Sequence, residues 1–215
     1  MRIRKKPHTT EKLQTFSDFV TIDKLGEERK GNWRKIFGND NDTLEVELGT
    51  GKGDFIVALA EKFPDKNFIG LEMEKEVVLK AARKVHEKNL SNVRLAVFDI
   101  NNITEIFSDA EVDKLYINFC DPWPKNRHEK RRLTYKKFLE MYRKILKPGG
   151  EIHFKTDNKN LFDFSLEQFA EVGFEVRDVT FDLHANEPAD NIRTEYENKF
   201  SALGSKINRC VVQVK

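Results

Sequence analysis

From Thr43 onward, short apolar runs alternate with stretches whose apolar residues recur at helical spacing. The runs predict strands over Leu44–Leu48, Asn67–Leu71, Val93–Val97, Lys114–Phe119, Glu151–Lys155, Glu175–Leu183 and Asn208–Val214. Between them, Phe55, Ala58, Leu59 and Phe63 share one helical face, as do Val77, Ala81 and Val85, and then Tyr135, Phe138, Leu139, Tyr142 and Ile145. Strand–helix–strand alternation implies right-handed crossovers and a parallel sheet with helices on both faces. Only a loop is expected between the last two strands, which makes the final strand antiparallel. The first 35 residues are polar and basic, with Leu13, Phe16, Phe19 and Val20 alone suggesting a docked helix. They read as an N-terminal arm, residues 1–35, ahead of one α/β domain over 36–215.

Composition narrows the class without naming it. A chain of 215 residues buries roughly 70% of its unfolded surface and needs neither disulfide nor structural metal to hold a core. Two cysteines, Cys120 and Cys210, are too few for a secreted disulfide framework and fit a reducing, cytoplasmic setting. The longest apolar run, Phe55 to Ala60, is far short of the roughly 20 residues of a spanning helix, so no membrane is expected. Net charge is only +2, but it is unevenly spread: residues 121–150 hold ten Lys/Arg against three acids. The five histidines, at 8, 86, 128, 153 and 184, show no ligand spacing and no metal is expected.

The fold class is therefore Rossmann-like, an α/β architecture with seven strands, and such sheets bind ligands at the carboxyl ends of their strands. After the first strand comes Glu47-Leu48-Gly49-Thr50-Gly51-Lys52-Gly53, with Gly49, Gly51 and Gly53 allowing a tight turn and close backbone approach. The spacing is neither the dinucleotide fingerprint nor a phosphate loop, which would need glycine where Val46 stands. Glu72 ends the second strand, where an acid takes ribose hydroxyls, and Asp99 follows the third, where it can accept from an adenine amino group. The site suits an adenosine yet has no phosphate device, and Glu47 would repel a pyrophosphate. That combination points to S-adenosyl-L-methionine, whose amino acid and sulfonium are cationic. The turn Lys147-Pro148-Gly149-Gly150 reads on its own as a helix stop.

Two further motifs are more specific: Asp121-Pro122-Trp123-Pro124-Lys125, followed by basic residues, and Arg193-Thr194-Glu195-Tyr196-Glu197. With these the chain resembles the class I methyltransferases, and among them the bacterial tRNA (guanine-N7)-methyltransferases. The resemblance implies a cytosolic enzyme, monomer or homodimer, that methylates a guanosine of the tRNA variable loop. It implies cofactor contacts from Glu47, Glu72 and Asp99 and an active-site acid at Asp121, itself beside the cofactor. It also implies a guanine site lined by Lys125, Asp157, Thr194, Glu195, Tyr196 and Glu197.

The residue types suit that chemistry. Guanine N7 carries a lone pair and no proton, so alignment matters more than a general base. Carboxylates favour the positive charge that develops on the purine and can accept from its N1–H and exocyclic amine. The run from Lys125 to Lys137 places Arg127, His128, Lys130, Arg131 and Arg132 beside the Asp-Pro-Trp loop as an RNA-binding patch; the plain alternative is a solvated helix start. Trp123 can stack on a base or be a buried indole. The basic cluster Arg2, Arg4, Lys5 and Lys6 is a weaker candidate for RNA contact. A non-catalytic RNA-binding protein on the same scaffold, and a small-molecule methyltransferase, are the competing readings.

Overall fold

The computed structural model describes residues 7–22 and 27–215, so the basic cluster Arg2, Arg4, Lys5 and Lys6 lies outside the described residues. The chain divides into two compact units, Met1–Ser108 and Asp109–Lys215.

The first unit opens with α1 (Thr9–Gln14) and the two-residue strand β1 (Val20–Thr21), then α2 (Trp33–Phe37) and β2 (Thr43–Leu48). There follow α3 (Asp54–Lys62), β3 (Lys66–Glu72), α4 (Lys75–Glu87), β4 (Val93–Val97) and the short α5 (Ile103–Ile106). Its strands lie in the order β1-β4-β3-β2, and each neighbouring pair is parallel. Leu44, Val46 and Leu48 of β2 and Phe68, Ile69 and Leu71 of β3 are all buried. Full burial of such side chains is worth about 1.5–3 kcal/mol each. Residues ahead of β2 pack onto this core: Leu13 is buried, α1 lies against α4, and Trp33 donates its indole N–H to the Ile106 carbonyl at 2.7 Å.

The second unit contains β5 (Val112–Asn118), α6 (Lys136–Ile145), β6 (Leu146–Thr156) and α7 (Lys159–Val172), then β7 (Glu175–Thr180), α8 (Glu195–Ala202) and β8 (Asn208–Gln213). Here β5 and β6 are parallel, whereas β8 runs antiparallel to both β6 and β7. Inward-facing Leu115, Ile117, Ile152, Phe154, Cys210 and Val212 build the core, with Phe162 of α7 stacked 5.9 Å from Phe154.

The pairings are mostly parallel with the last strand antiparallel, as the alternation predicts. Four details differ. The described residues hold eight strands rather than seven, because β1 adds two residues beside β4. The sixth predicted strand stops at Thr180, and Leu183 opens a 3-10 turn over 183–186, where its side chain is buried. A helix, α8, stands where only a loop was expected between the last two strands. Lys147-Pro148-Gly149-Gly150 is no mere helix stop but an irregularity inside β6: Val112 faces Leu146 while Lys114 already faces Glu151. Among the described residues no helix is long and apolar enough to cross a membrane.

Candidate active site

In the first unit, the site is the turn from β2 into α3. Gly49, Gly51 and Gly53 all have left-handed backbones, with φ of 77°, 59° and 83°. At Gly53 space adds to the requirement, since a Cβ there would stand 2.7 Å from the Cβ of Ala81 on α4. Around Gly51 a Cβ would meet nothing nearer than the Gly49 carbonyl at 3.9 Å, which leaves the middle of the loop open as a cradle. The loop is stitched to the end of β3: the amides of Gly49 and Thr50 donate to the Leu71 carbonyl at 2.9 and 3.0 Å. Glu72 completes the join. Its Oε2 accepts from the Gly51 amide at 3.1 Å, and its Oε1 accepts from the amides of Met73 and Glu74 at 2.9 and 3.0 Å. A carboxylate has roughly four acceptor positions, so Glu72 holds the loop and still has acceptor capacity for hydroxyls. Glu47 is buried at the end of β2. Asp99 is exposed and caps the 3-10 turn after β4, its Oδ1 accepting from the backbone and side-chain amides of Asn101 at 3.0 and 2.8 Å. An open left-handed cradle with an acceptor at its rim suits an adenosine-bearing cationic cofactor.

In the second unit, the site begins where β5 ends. Phe119 and Trp123 bracket Asp121, and both have left-handed backbones, φ 50° and 42°. For bulky residues such a conformation costs on the order of 1–3 kcal/mol each and persists only where surroundings enforce it. The enforcement is visible. The Phe119 amide donates to the Lys155 carbonyl at 2.9 Å, and Arg132 donates to the carbonyls of Pro122 and Trp123, both at 3.1 Å. The Arg132 guanidinium in turn lies 4.3 Å over the Phe164 ring. Arg131 lies 4.9 Å over the Trp123 indole, and His128 meets that ring edge-on at 5.8 Å. Trp123 is thus a half-buried surface stack and not a core indole. Burial, with the neighbouring Asp121 carboxylate, pushes the Cys120 thiol up to about 12, which removes it as a nucleophile.

Asp121 is exposed. Asp157, at the end of β6, accepts from the Tyr196 hydroxyl at 3.3 Å. The Tyr196 ring lies 4.8 Å from Phe119 and stacks on Phe200 at 4.1 Å. The structure therefore brings Asp157, Tyr196 and Phe119 together. Burial, reinforced by Asp157, raises the Tyr196 hydroxyl above the usual phenol range, so it keeps its proton in neutral solution and serves as a hydrogen-bond donor.

Two residues of the Thr194–Glu197 run, Thr194 and Glu197, also hold the local fold. Thr194 and Glu197 form a capping box at the start of α8, the Glu197 amide donating to Thr194 Oγ1 at 2.9 Å. Glu197 is fully buried and accepts from Lys155 Nζ at 2.9 Å and from Asn191 Nδ2 at 3.2 Å, with His184 Nε2 also at 2.9 Å. Burial works against its charge, but Lys155 and these hydrogen bonds outweigh it and hold the carboxyl below its ordinary range. Lys155 Nζ also reaches Asn191 Oδ1 at 2.9 Å and the Ile192 carbonyl at 2.8 Å. Lys155 is a residue the sequence reading passed over. A lysine inside a strand among apolar neighbours was the available signal. Glu195 and Lys125 are exposed, as are Arg127, Lys130 and Arg131. Ligand-capable atoms of His184, Glu187 and Glu197 converge within 4.8 Å, but Lys155, Asn191 and a short Arg193–Glu187 pair already engage the carboxylates.

The fold, with its glycine cradle at one set of strand ends and its acid–aromatic cluster at another, defines a class I methyltransferase. A family of putative methyltransferases matches residues 41–210. A tRNA (guanine-N(7)-)-methyltransferase of Brevibacillus brevis is 48% identical over 99% of this chain and 100% of its own. That of Bacillus velezensis is 47% identical over 99% of this chain and 97% of its own. The chain belongs to the tRNA (guanine-N(7)-)-methyltransferase family. Among solved structures, an antibiotic-related methyltransferase superposes with TM-score 0.65 over 89% of this chain and 94% of its own at 20% identity, a likeness of fold.

Proposed function

We propose that the protein transfers a methyl group from S-adenosyl-L-methionine to N7 of a guanosine in the variable loop of tRNA. The observation that carries this reading is the acceptor cluster: exposed Asp121 on a strained loop, and Asp157 bonded to Tyr196 beside Phe119. Gly49, Gly51 and Gly53 would cradle the cofactor, Glu72 would accept from its ribose and Asp99 from its adenine, with Glu47 supplying negative charge. When bound, that cofactor supplies an electrophilic methyl on a sulfonium.

The chain's own part is orientation and electrostatics. Guanine N7 has no proton to remove, so no side chain acts as a base before transfer. Asp121 and Asp157 place negative charge where the purine becomes cationic, an effect strengthened when water is excluded. The same carboxylates, with Glu195, are acceptors for the donors on the guanine edge, and adenine would turn an acceptor toward them. Lys125 lines the guanine site, and the exposed Arg127, Lys130 and Arg131 meet phosphates. A tRNA substrate and two free cysteines, Cys120 and Cys210, fit a cytoplasmic enzyme.

Incubation with labelled cofactor and unmodified bulk tRNA tests the reading. The expected product is a tRNA that cleaves at the methylated guanosine under the mild base and aniline treatment that opens N7-methylated purines. Label in another nucleotide, or none, would sink it.

A further inference from the structure

A cleft of about 610 Å³ in the second unit is not needed by the acceptor site as described, yet shares one residue with it. Asp157 lines this cleft while also accepting from Tyr196. Beyond Asp157 the cleft runs past Phe181, Lys159 and Asn186 to Lys206. Phe181 is 48% exposed, and its ring is buttressed edge-on by Phe162 at 5.4 Å. Leaving a phenylalanine half in water next to a cleft forfeits burial that the fold could otherwise use. Lys159 Nζ lies 5.6 Å from the Phe181 ring centre and pairs with Asp163; Lys206 pairs with Asp182 at 3.1 Å. Both lysines are largely exposed, and exposed pairs of this kind contribute only about 0–1 kcal/mol, so either amine can turn to a phosphate at little cost.

An exposed, buttressed aromatic face between two mobile cations is the arrangement that holds a single-stranded nucleotide: ring against base, amines against backbone. We propose that this cleft is the subsite for the nucleotide next to the target guanosine in the tRNA, with Phe181 stacking on its base and Lys159 and Lys206 meeting its phosphates. Asp157 stands at the boundary between the two nucleotides. The proposal rests on the tRNA methyltransferase reading, because it is continuity with Asp157 that selects RNA as the occupant.

The test uses the full chain, a tRNA transcript, and transcripts with an abasic residue immediately 5′ or 3′ of the target guanosine. Phe181→Ala should raise the KM for intact tRNA about tenfold, the scale of one lost base stack, and leave kcat and cofactor affinity within about twofold. Phe181→Tyr should restore it. One of the two abasic transcripts should show the same loss with the unaltered protein and no further loss with Phe181→Ala. Lys159→Ala with Lys206→Ala should flatten the salt dependence of tRNA binding by about one to two phosphate contacts. Fluorescence anisotropy of the same tRNAs reads binding without turnover. Failure of the unaltered protein to methylate would thus fall on the functional reading and not on the subsite. An unchanged KM and affinity in Phe181→Ala, or losses that add between Phe181→Ala and both abasic transcripts, would overturn the subsite.

Discussion

Glu72 shows how one side chain serves fold and ligand together. Three backbone amides converge on its carboxylate, one of them from the middle of the glycine loop. A hydrogen bond to a charged group is worth about 1.5–3 kcal/mol, so Glu72→Ala should let the loop open and lower cofactor affinity by at least about tenfold. Titration calorimetry with the cofactor checks this, and unaltered affinity would show the loop to be held by the Leu71 carbonyl alone. Arg132 is a second such residue. Its guanidinium joins two successive carbonyls across the loop that carries Asp121, a geometry a lysine cannot reproduce. Arg132→Lys should therefore slow methyl transfer about tenfold or more while tRNA affinity moves by less than about threefold. A parallel loss of tRNA binding would assign Arg132 to the phosphates instead.

At the scale of elements, the start of α8 hangs on a buried ion pair. Lys155 from β6 reaches Glu197, Asn191 and the Ile192 carbonyl, tying three points of one segment to the sheet. Removing one partner of such a pair strands the other charge and costs about 3–5 kcal/mol. Lys155→Met should lower the urea midpoint accordingly, and adding Glu197→Gln should recover much of the loss. If the double variant is no more stable than the single, the pair is not the element's anchor. This region is also where sequence and structure part company. The strands β2 to β6 and the helices α3, α4 and α6 were legible because each buries a face of matching period. By contrast α8 buries little beyond Glu197, and its hold depends on partners from 3 to 42 residues away that no local pattern records. Thr194 and Glu197, which the family resemblance places at the guanine site, have polar atoms that also close a helix cap. The helix α7 carries ordinary boundary signals, its Asn158 cap and terminal Gly173.

Across the whole molecule, charge is distributed rather than abundant. The segment 121–150 holds ten Lys/Arg against three acids in a chain whose total is only +2. In the structure Arg127 and Lys130 are exposed and Arg131 rests on Trp123, so this part of the excess meets solvent. Replacing all three by alanine should flatten the slope of log tRNA affinity against log salt by about two to three. Binding isotherms across a salt series measure it, and an unchanged slope would return the segment to an ordinary solvated surface.

The capping box at α8 has a consequence for heredity. Adjoining codons in one short run would produce opposite kinds of allele. Lesions at 194 and 197 would be temperature-sensitive, eased by growth in the cold or by overproduction, since the hold of a helix is among the things they damage. Lesions at 195 and 196 would be silent to both remedies, leaving the cell well stocked with a sound but idle protein.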